Sequence, residues 1–313
     1  MDKPIRSLHH VTATVSDAQA DLDFYTGLLG QRLVKKTVNF DNTRVYHFYY
    51  GDEKGTPGTI MTTFPYGHLG VRQGIHGTGQ ITVTSFSIPE GSVPYWSERL
   101  AFADVPFTVE DSGFGEDALR FTDPSGLTIR LVESRADRRA PWLKPDIGAA
   151  NAVRGIHSVT LTVPDPKRTL AFMNELMETS VVGEREGGMR VAVNGDSPGQ
   201  LVNILPAVET AAVNGIGTVH HVAFAVDDPD QQLELRKELL RRGIQVTDVM
   251  DRQYFKSIYF REPGGVLFEV ATIPPGFTAD ESIADLGRGL KLPPWEEPKR
   301  PIIEAGLATV TAS

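Results

Sequence analysis

The sequence predicts an α+β protein of four βαβββ modules, which form two domains of curved mixed sheets. Three observations predict it. The stretch from Val219 to Ala271 reads as a strand, a helix and three more strands. The same order of elements recurs three times earlier in the chain, more weakly. A Pro-Gly or Pro-Ser turn precedes the last strand of each copy: Pro57-Gly58, Pro124-Ser125, Pro198-Gly199 and Pro263-Gly264. Such dipeptides mark turns because proline fixes φ while glycine admits positive φ.

The first module spans about 6–64. Its opening strand is Leu8-His9-His10-Val11-Thr12-Ala13-Thr14-Val15, and Asp17 is an N-cap residue type. A helix follows through Leu22, Phe24, Tyr25 and Leu28-Leu29 and ends at Gly30, with strands around 32–38, 44–50 and 59–64. The second module, about 78–133, opens with the strand 81–88, has a helix near 93–102, and continues in strands near 107–110, 118–122 and 127–132. Residues 134–152, rich in Arg, Pro and Ala, read as a linker between an N-terminal domain (1–133) and a C-terminal domain (153–277). The third module, about 153–206, has strands at 155–163, 181–184, 189–193 and 201–205 and a helix at 166–177. In the fourth, about 217–272, Val219–Phe224 is a strand and 231–242 an amphipathic helix stopped by Gly243. Strands at 244–249, 257–260 and 265–270 complete it. The tail, 278–313, is proline-rich and irregular, and is expected to wrap the surface or close a neighbouring subunit's site.

Length and composition narrow the function classes. The 313 residues are 40% hydrophobic and 23% charged, as in globular proteins. No apolar run approaches the roughly 20 residues of a membrane span, and the N-terminus has no apolar signal core. There is no cysteine, which excludes disulfides and thiolate chemistry and fits the cytoplasm. A formal charge of −9 without a basic stripe speaks against nucleic acid as a partner.

Aligning the modules on their strands and turns locates ligand residue types. His221 falls opposite His10, Ser158 and Val83; Glu269 falls opposite Arg130, Ile204 and Thr63. Two modules thus place His on the first strand and one places Glu on the fourth. His10, His221 and Glu269 make the two-imidazole, one-carboxylate set of non-haem Fe(II) sites. His157 aligns with His220 instead, so alternation turns it to the other strand face.

Leu8-His9-His10-Val11, Val219-His220-His221-Val222-Ala223-Phe224 and Leu267-Phe268-Glu269-Val270 resemble the vicinal oxygen chelate (glyoxalase/bleomycin resistance/extradiol dioxygenase) superfamily. The run from Asp251 to Gly265 is similar to the bacterial ring-cleaving dioxygenases that act on hydroquinones. This resemblance implies metal ligands from the first and last modules. It also implies His9, Thr12 and Tyr259 around the substrate, although alternation turns His9 away from His10 unless the strand is bulged. The implied activity is Fe(II)-dependent cleavage of a methyl- or chloro-substituted hydroquinone-type ring, with a small aromatic substrate and O2 as partners. Mn(II) is the alternative metal, and a homodimer is left open. Catechol-type extradiol cleavage, glyoxalase-like isomerisation and metal-free binding of a small molecule are the rival readings.

Overall fold

The computed structural model describes residues 4–311. Module one consists of β1 (Ser7–Val15), a helix that is α over Ala18–Leu22 (α1) and π over Asp23–Leu28, β2 (Arg32–Asn39), β3 (Asn42–Gly51) and β4 (Ile60–Pro65). Module two follows as β5 (Gln80–Ile88), α2 (Val93–Phe102), β6 (Phe107–Asp111), β7 (Asp117–Thr122) and β8 (Thr128–Glu133). Module three comprises β9 (Gly155–Val163), α3 (Pro166–Met177), β10 (Ser180–Arg185), β11 (Gly188–Ala192) and β12 (Leu201–Pro206). Module four has β13 (Thr218–Val226), α4 (Pro229–Arg241), β14 (Met250–Asp251), β15 (Lys256–Arg261) and β16 (Leu267–Thr272).

Local chemistry starts the helices. Asp17, Asp165 and Asp228 each accept from two backbone N–H groups of the first turn, which would otherwise lack partners. At α2 the Glu133 carboxylate does this job by accepting from Val93 N at 2.7 Å. The segment 244–249 is not a full strand. Val246 makes one bridge to Phe260, and the Thr247 hydroxyl takes the Tyr259 N–H at 3.0 Å, so a side chain replaces a carbonyl in the ladder.

Two eight-stranded mixed sheets result. One runs β14-β15-β16-β13-β1-β4-β3-β2, the other β10-β11-β12-β9-β5-β8-β7-β6. Each sheet therefore draws one module from either side of 134–152: one with four, and two with three. The central contacts are antiparallel, β1 on β13 and β5 on β9. Val11, Phe86, Ile156, Val222 and Phe268 face a continuous apolar core. The tail packs on module one, where Leu290 bridges Lys36 and Phe277, Leu286, Leu292 and Ile303 are buried. Among the described residues no helix is long and apolar enough to cross a membrane.

Bulges at the β1–β13 contact position the site. Leu8 and Val11 both face the core, an odd spacing that leaves one residue extra, and the register slips between Leu8 and His10. The slip between Thr12 and Ala13 likewise leaves His220 extra on β13, between Val219 and His221. Each bulge re-aims the following His away from the core.

Candidate metal centre and its cavity

His10, His221 and Glu269 converge on the concave side of the first sheet. Their ligand-type atoms lie within 4.8 Å of one another, and all three side chains are buried. His10 Nε2 lies 3.3 Å from His221 Nε2 and 3.2 Å from Glu269 Oε2, and His221 Nε2 lies 2.8 Å from the same oxygen. Adjacent ligands bound at about 2.1 Å to one ion stand about 3 Å apart, so this triangle suits one face of a divalent metal's coordination shell. Glu269 Oε2 is buried and faces the two imidazole Nε2 atoms; with both unprotonated it has no donor and is an acceptor that a cation would satisfy. Ser257 Oγ donates to the other oxygen, Oε1.

Electrostatics agree. Burial pushes the Glu269 carboxyl up, but His10 and His221 outweigh it and hold the group well below the usual carboxylate range. Burial pulls His221 down against the opposing pull of Glu269. An anionic carboxylate beside neutral imidazole is the donor set a divalent ion needs.

The two bulged histidines stand behind the candidate ligands. His9 Nδ1 is 2.9 Å from His10 Nδ1, and His220 Nδ1 is 2.8 Å from His221 Nδ1. With Nε2 of each ligand turned to the metal position, Nδ1–H can donate to the neighbouring ring, which fixes tautomer and ring orientation. Burial, then the nearby His10, lowers His9 to about 3, so it is a neutral acceptor.

A cavity of about 330 Å³ opens over the triangle. Thr12 and Tyr259 line it; His9 does not. His9 lines a separate hollow with Lys54 and Pro275, on the far side of Phe255. Tyr259 Oη accepts from Arg252 Nε at 3.2 Å, and Arg252 is held in turn by Asp41 at 3.2 Å. Burial, then Glu269, raises the Tyr259 phenol, so it stays protonated. Thr12 ends a chain of hydrogen bonds. With His47 protonated on Nε2, Tyr49 Oη donates to His47 Nδ1 at 2.9 Å and His47 Nε2 donates to Thr62 Oγ1 at 2.7 Å. Thr62 Oγ1 then donates to Thr12 Oγ1 at 3.1 Å, which leaves the Thr12 hydroxyl hydrogen free to turn to the cavity.

The family profile of the Glyoxalase/Bleomycin resistance protein/Dioxygenase superfamily matches residues 7–131 and 155–270. The chain belongs to that superfamily. Within it, the chain is 40% identical over 307 residues to the provisionally named ring-cleaving dioxygenase MhqO of Bacillus subtilis, covering 98% of this chain and 97% of the relative. It is 37% identical over 303 residues to the chlorohydroquinone/hydroquinone 1,2-dioxygenase of Sphingobium indicum, covering 94% and 93%. A crystal structure from Bacillus subtilis, provisionally described as a dioxygenase, superposes with a TM-score of 0.94 at 39% identity, over 100% of this chain and 99% of that one.

Two alignment positions of this superfamily member move by one residue. Strand register places Glu269 beside Ala223, two residues past His221. The same step pairs Thr62 with Thr12 and Asn203 with Thr160, so Thr62 and Asn203, not Thr63 and Ile204, are the equivalents. The turns before β4 and β12 are one residue shorter than those before β8 and β16. His157 sits in the second sheet, 3.1 Å from Glu116, and takes no part in the triangle.

His47, Arg252, Asp41 and Phe40 are cavity residues that the sequence argument did not place. A signal existed for His47: alternation along β3 sets His47 and Tyr49 opposite Tyr46 and Phe48, and the ring pairs His47–Tyr49 and Tyr46–Phe48 are those observed. Asp41 and Phe40 lie at the β2–β3 turn, where periodicity says nothing.

Proposed function

We propose that the protein is an Fe(II)-dependent ring-cleaving dioxygenase that inserts both atoms of O2 into a hydroquinone-type ring, methyl- or chloro-substituted. The carrying observation is the buried His10–His221–Glu269 triangle opening on a cavity with hydroxyl groups on its walls. The name of the Sphingobium relative supports the substrate class, and that of MhqO supports ring cleavage. Bound Fe(II) would supply open positions for a phenolate and O2, an acidified hydroxyl and an electron path from ring to O2.

The protein's own groups have definable parts. His10, His221 and Glu269 hold the metal. Thr12, fed by the chain from His47, offers a hydroxyl donor beside it. Tyr259 keeps its proton and is oriented by Arg252, so it can donate to an oxygen developing negative charge and give up or recover a proton there. His9 acts through His10, as the acceptor that orients the ring. Phe255 and Phe64 bound the cavity with apolar surface, which favours a flat ring over bulk water.

The test is oxygen uptake with 2-methylhydroquinone against catechol, on protein loaded with Fe(II) or with Mn(II) under anaerobic conditions. Uptake with the hydroquinone and Fe(II) supports the reading. Uptake with catechol alone assigns extradiol cleavage instead, and full activity with Mn(II) alone changes the metal.

A further inference from the structure

A second hollow, of about 420 Å³, shares no lining residue with the metal cavity. It lies where the start of β2, the 142–145 part of the linker and the tail near 284–288 meet. Four cations line it, Arg32, Lys36, Lys144 and Arg288, in a chain whose formal charge is −9. Among the described residues, only Arg288 has a carboxylate within ion-pair distance, Asp285 at 3.6 Å on the exposed surface. Arg32 is 9% exposed, and its guanidinium donates to two carbonyls, Glu53 O and Ile283 O, both at 2.6 Å. Lys144 donates to Thr26 O at 2.8 Å. Beyond ion-pair distance Glu53, Glu281 and Asp52 act on Arg32 and Asp146 acts on Lys144, while Arg288 repels Arg32.

Gln31 stands beside these cations. It lines the hollow, is 4% exposed, and neither its amide nitrogen nor its amide oxygen has a hydrogen-bond partner. An unpaired buried amide is costly, and folded proteins rarely keep one without a use. Beside it the Arg32 guanidinium stacks at 4.8 Å on the Trp142 ring. Guanidinium, indole and carboxamide are all planar.

We propose that this hollow binds a small planar organic anion of the aromatic carboxylate class. The carboxylate meets the N–H groups of Arg32 that the two carbonyls leave unused, with Lys36 and Arg288 adding charge. The Gln31 amide N–H donates to a carboxylate oxygen, and the ring lies against Trp142. A phosphate would leave the indole unused. The site stands apart from the reaction, so the inference does not rest on the proposed activity.

The test is calorimetric titration of the metal-loaded, full-length protein with 4-hydroxybenzoate, and separately with inorganic phosphate at matched ionic strength. The probe is expected to bind one site, at least tenfold more tightly than phosphate. Binding should weaken at least tenfold in the double variant Lys36→Glu, Arg288→Glu, whose positions are half-buried and exposed. Gln31→Leu should weaken binding too, while raising the melting temperature of the ligand-free protein, because it removes two unpaired polar atoms. No binding, equal binding of phosphate, affinity unchanged by these substitutions, or a lowered melting temperature for Gln31→Leu would each overturn the proposal.

Discussion

At Glu269 three effects meet in one carboxylate. Burial opposes its charge, two imidazoles favour it, and with both unprotonated one oxygen is left without a donor. The account requires a cation there. Glu269→Gln keeps the shape but removes the charge, so metal content after dialysis should fall from about one ion per chain to near zero, as read by elemental analysis. An unchanged content would remove Glu269 from the ligand set. Tyr259→Phe, by contrast, should leave metal content intact and lower kcat by roughly tenfold to a hundredfold, the range of a lost proton-transfer or oxyanion contact. Unaltered kinetics would assign Tyr259 to packing against His221, whose ring lies 5.6 Å away. The three residues of the candidate triangle were legible in the sequence because equivalent places in four modules could be compared. His47 and Arg252 were not, because their roles arise from partners on other elements, Thr62 and Tyr259, which residue type does not encode.

Among the elements, the first helix and the tail carry consequences. Asp21, on α1, accepts from Tyr50 Oη at 2.6 Å and from Thr63 Oγ1 at 2.5 Å, while its other oxygen has no partner. Burial raises its carboxyl to about 8 against those hydrogen bonds. The folded protein thus keeps a proton that the unfolded chain releases above about pH 4. Stability falls as pH rises from about 4 to about 8, by a term on the order of several kcal/mol. Asp21→Asn should remove that slope: by calorimetry the variant should gain stability over the parent from pH 5 to 8 and match it near pH 4. A gap independent of pH would contradict the buried protonated state.

The tail is fixed by Lys35. This ammonium is fully buried and donates to Asp280 at 2.6 Å and to Glu281. Lys35→Met strands two carboxylates, one of them buried, and should cost about 3 kcal/mol in urea unfolding while exposing residues 278–300 to limited proteolysis. An intact tail with unchanged stability would show that apolar contacts such as Phe277 hold it alone. The sequence left open whether the tail covers its own chain or a neighbour; Lys35, one of two adjacent lysines in a strand, gave no means of pairing it with acids 245 and 246 positions away.

Over the whole molecule, duplication explains why one sheet can carry a site and the other cannot. In the second sheet the position of Glu269 is held by Arg130 and Asn203. Arg130 pairs with Glu110, and Asn203 accepts from Arg190 at 2.9 Å. Glu116, with His157 and Arg190, completes a polar filling of that concavity. The βαβββ order and the turns were legible from periodicity and proline. That module one joins module four was not, because strand patterns are local and β1–β13 pairing spans the chain. His10 and His221 face each other only through that pairing. Fragments 1–133 and 153–277 should therefore retain no metal separately and recover it when co-expressed, measured as metal per reconstituted pair. Tight metal binding by either fragment would break the shared-site account.

The central claim is that the His10–His221–Glu269 centre opens a hydroquinone-type ring with O2. It is tested most directly by incubating Fe(II)-loaded protein with 2-methylhydroquinone under ¹⁸O-labelled O2 and weighing the product by mass spectrometry. The account predicts a ring-opened product containing both labelled atoms, absent with Glu269→Gln. A product with the ring intact, or with label only from water, would contradict it.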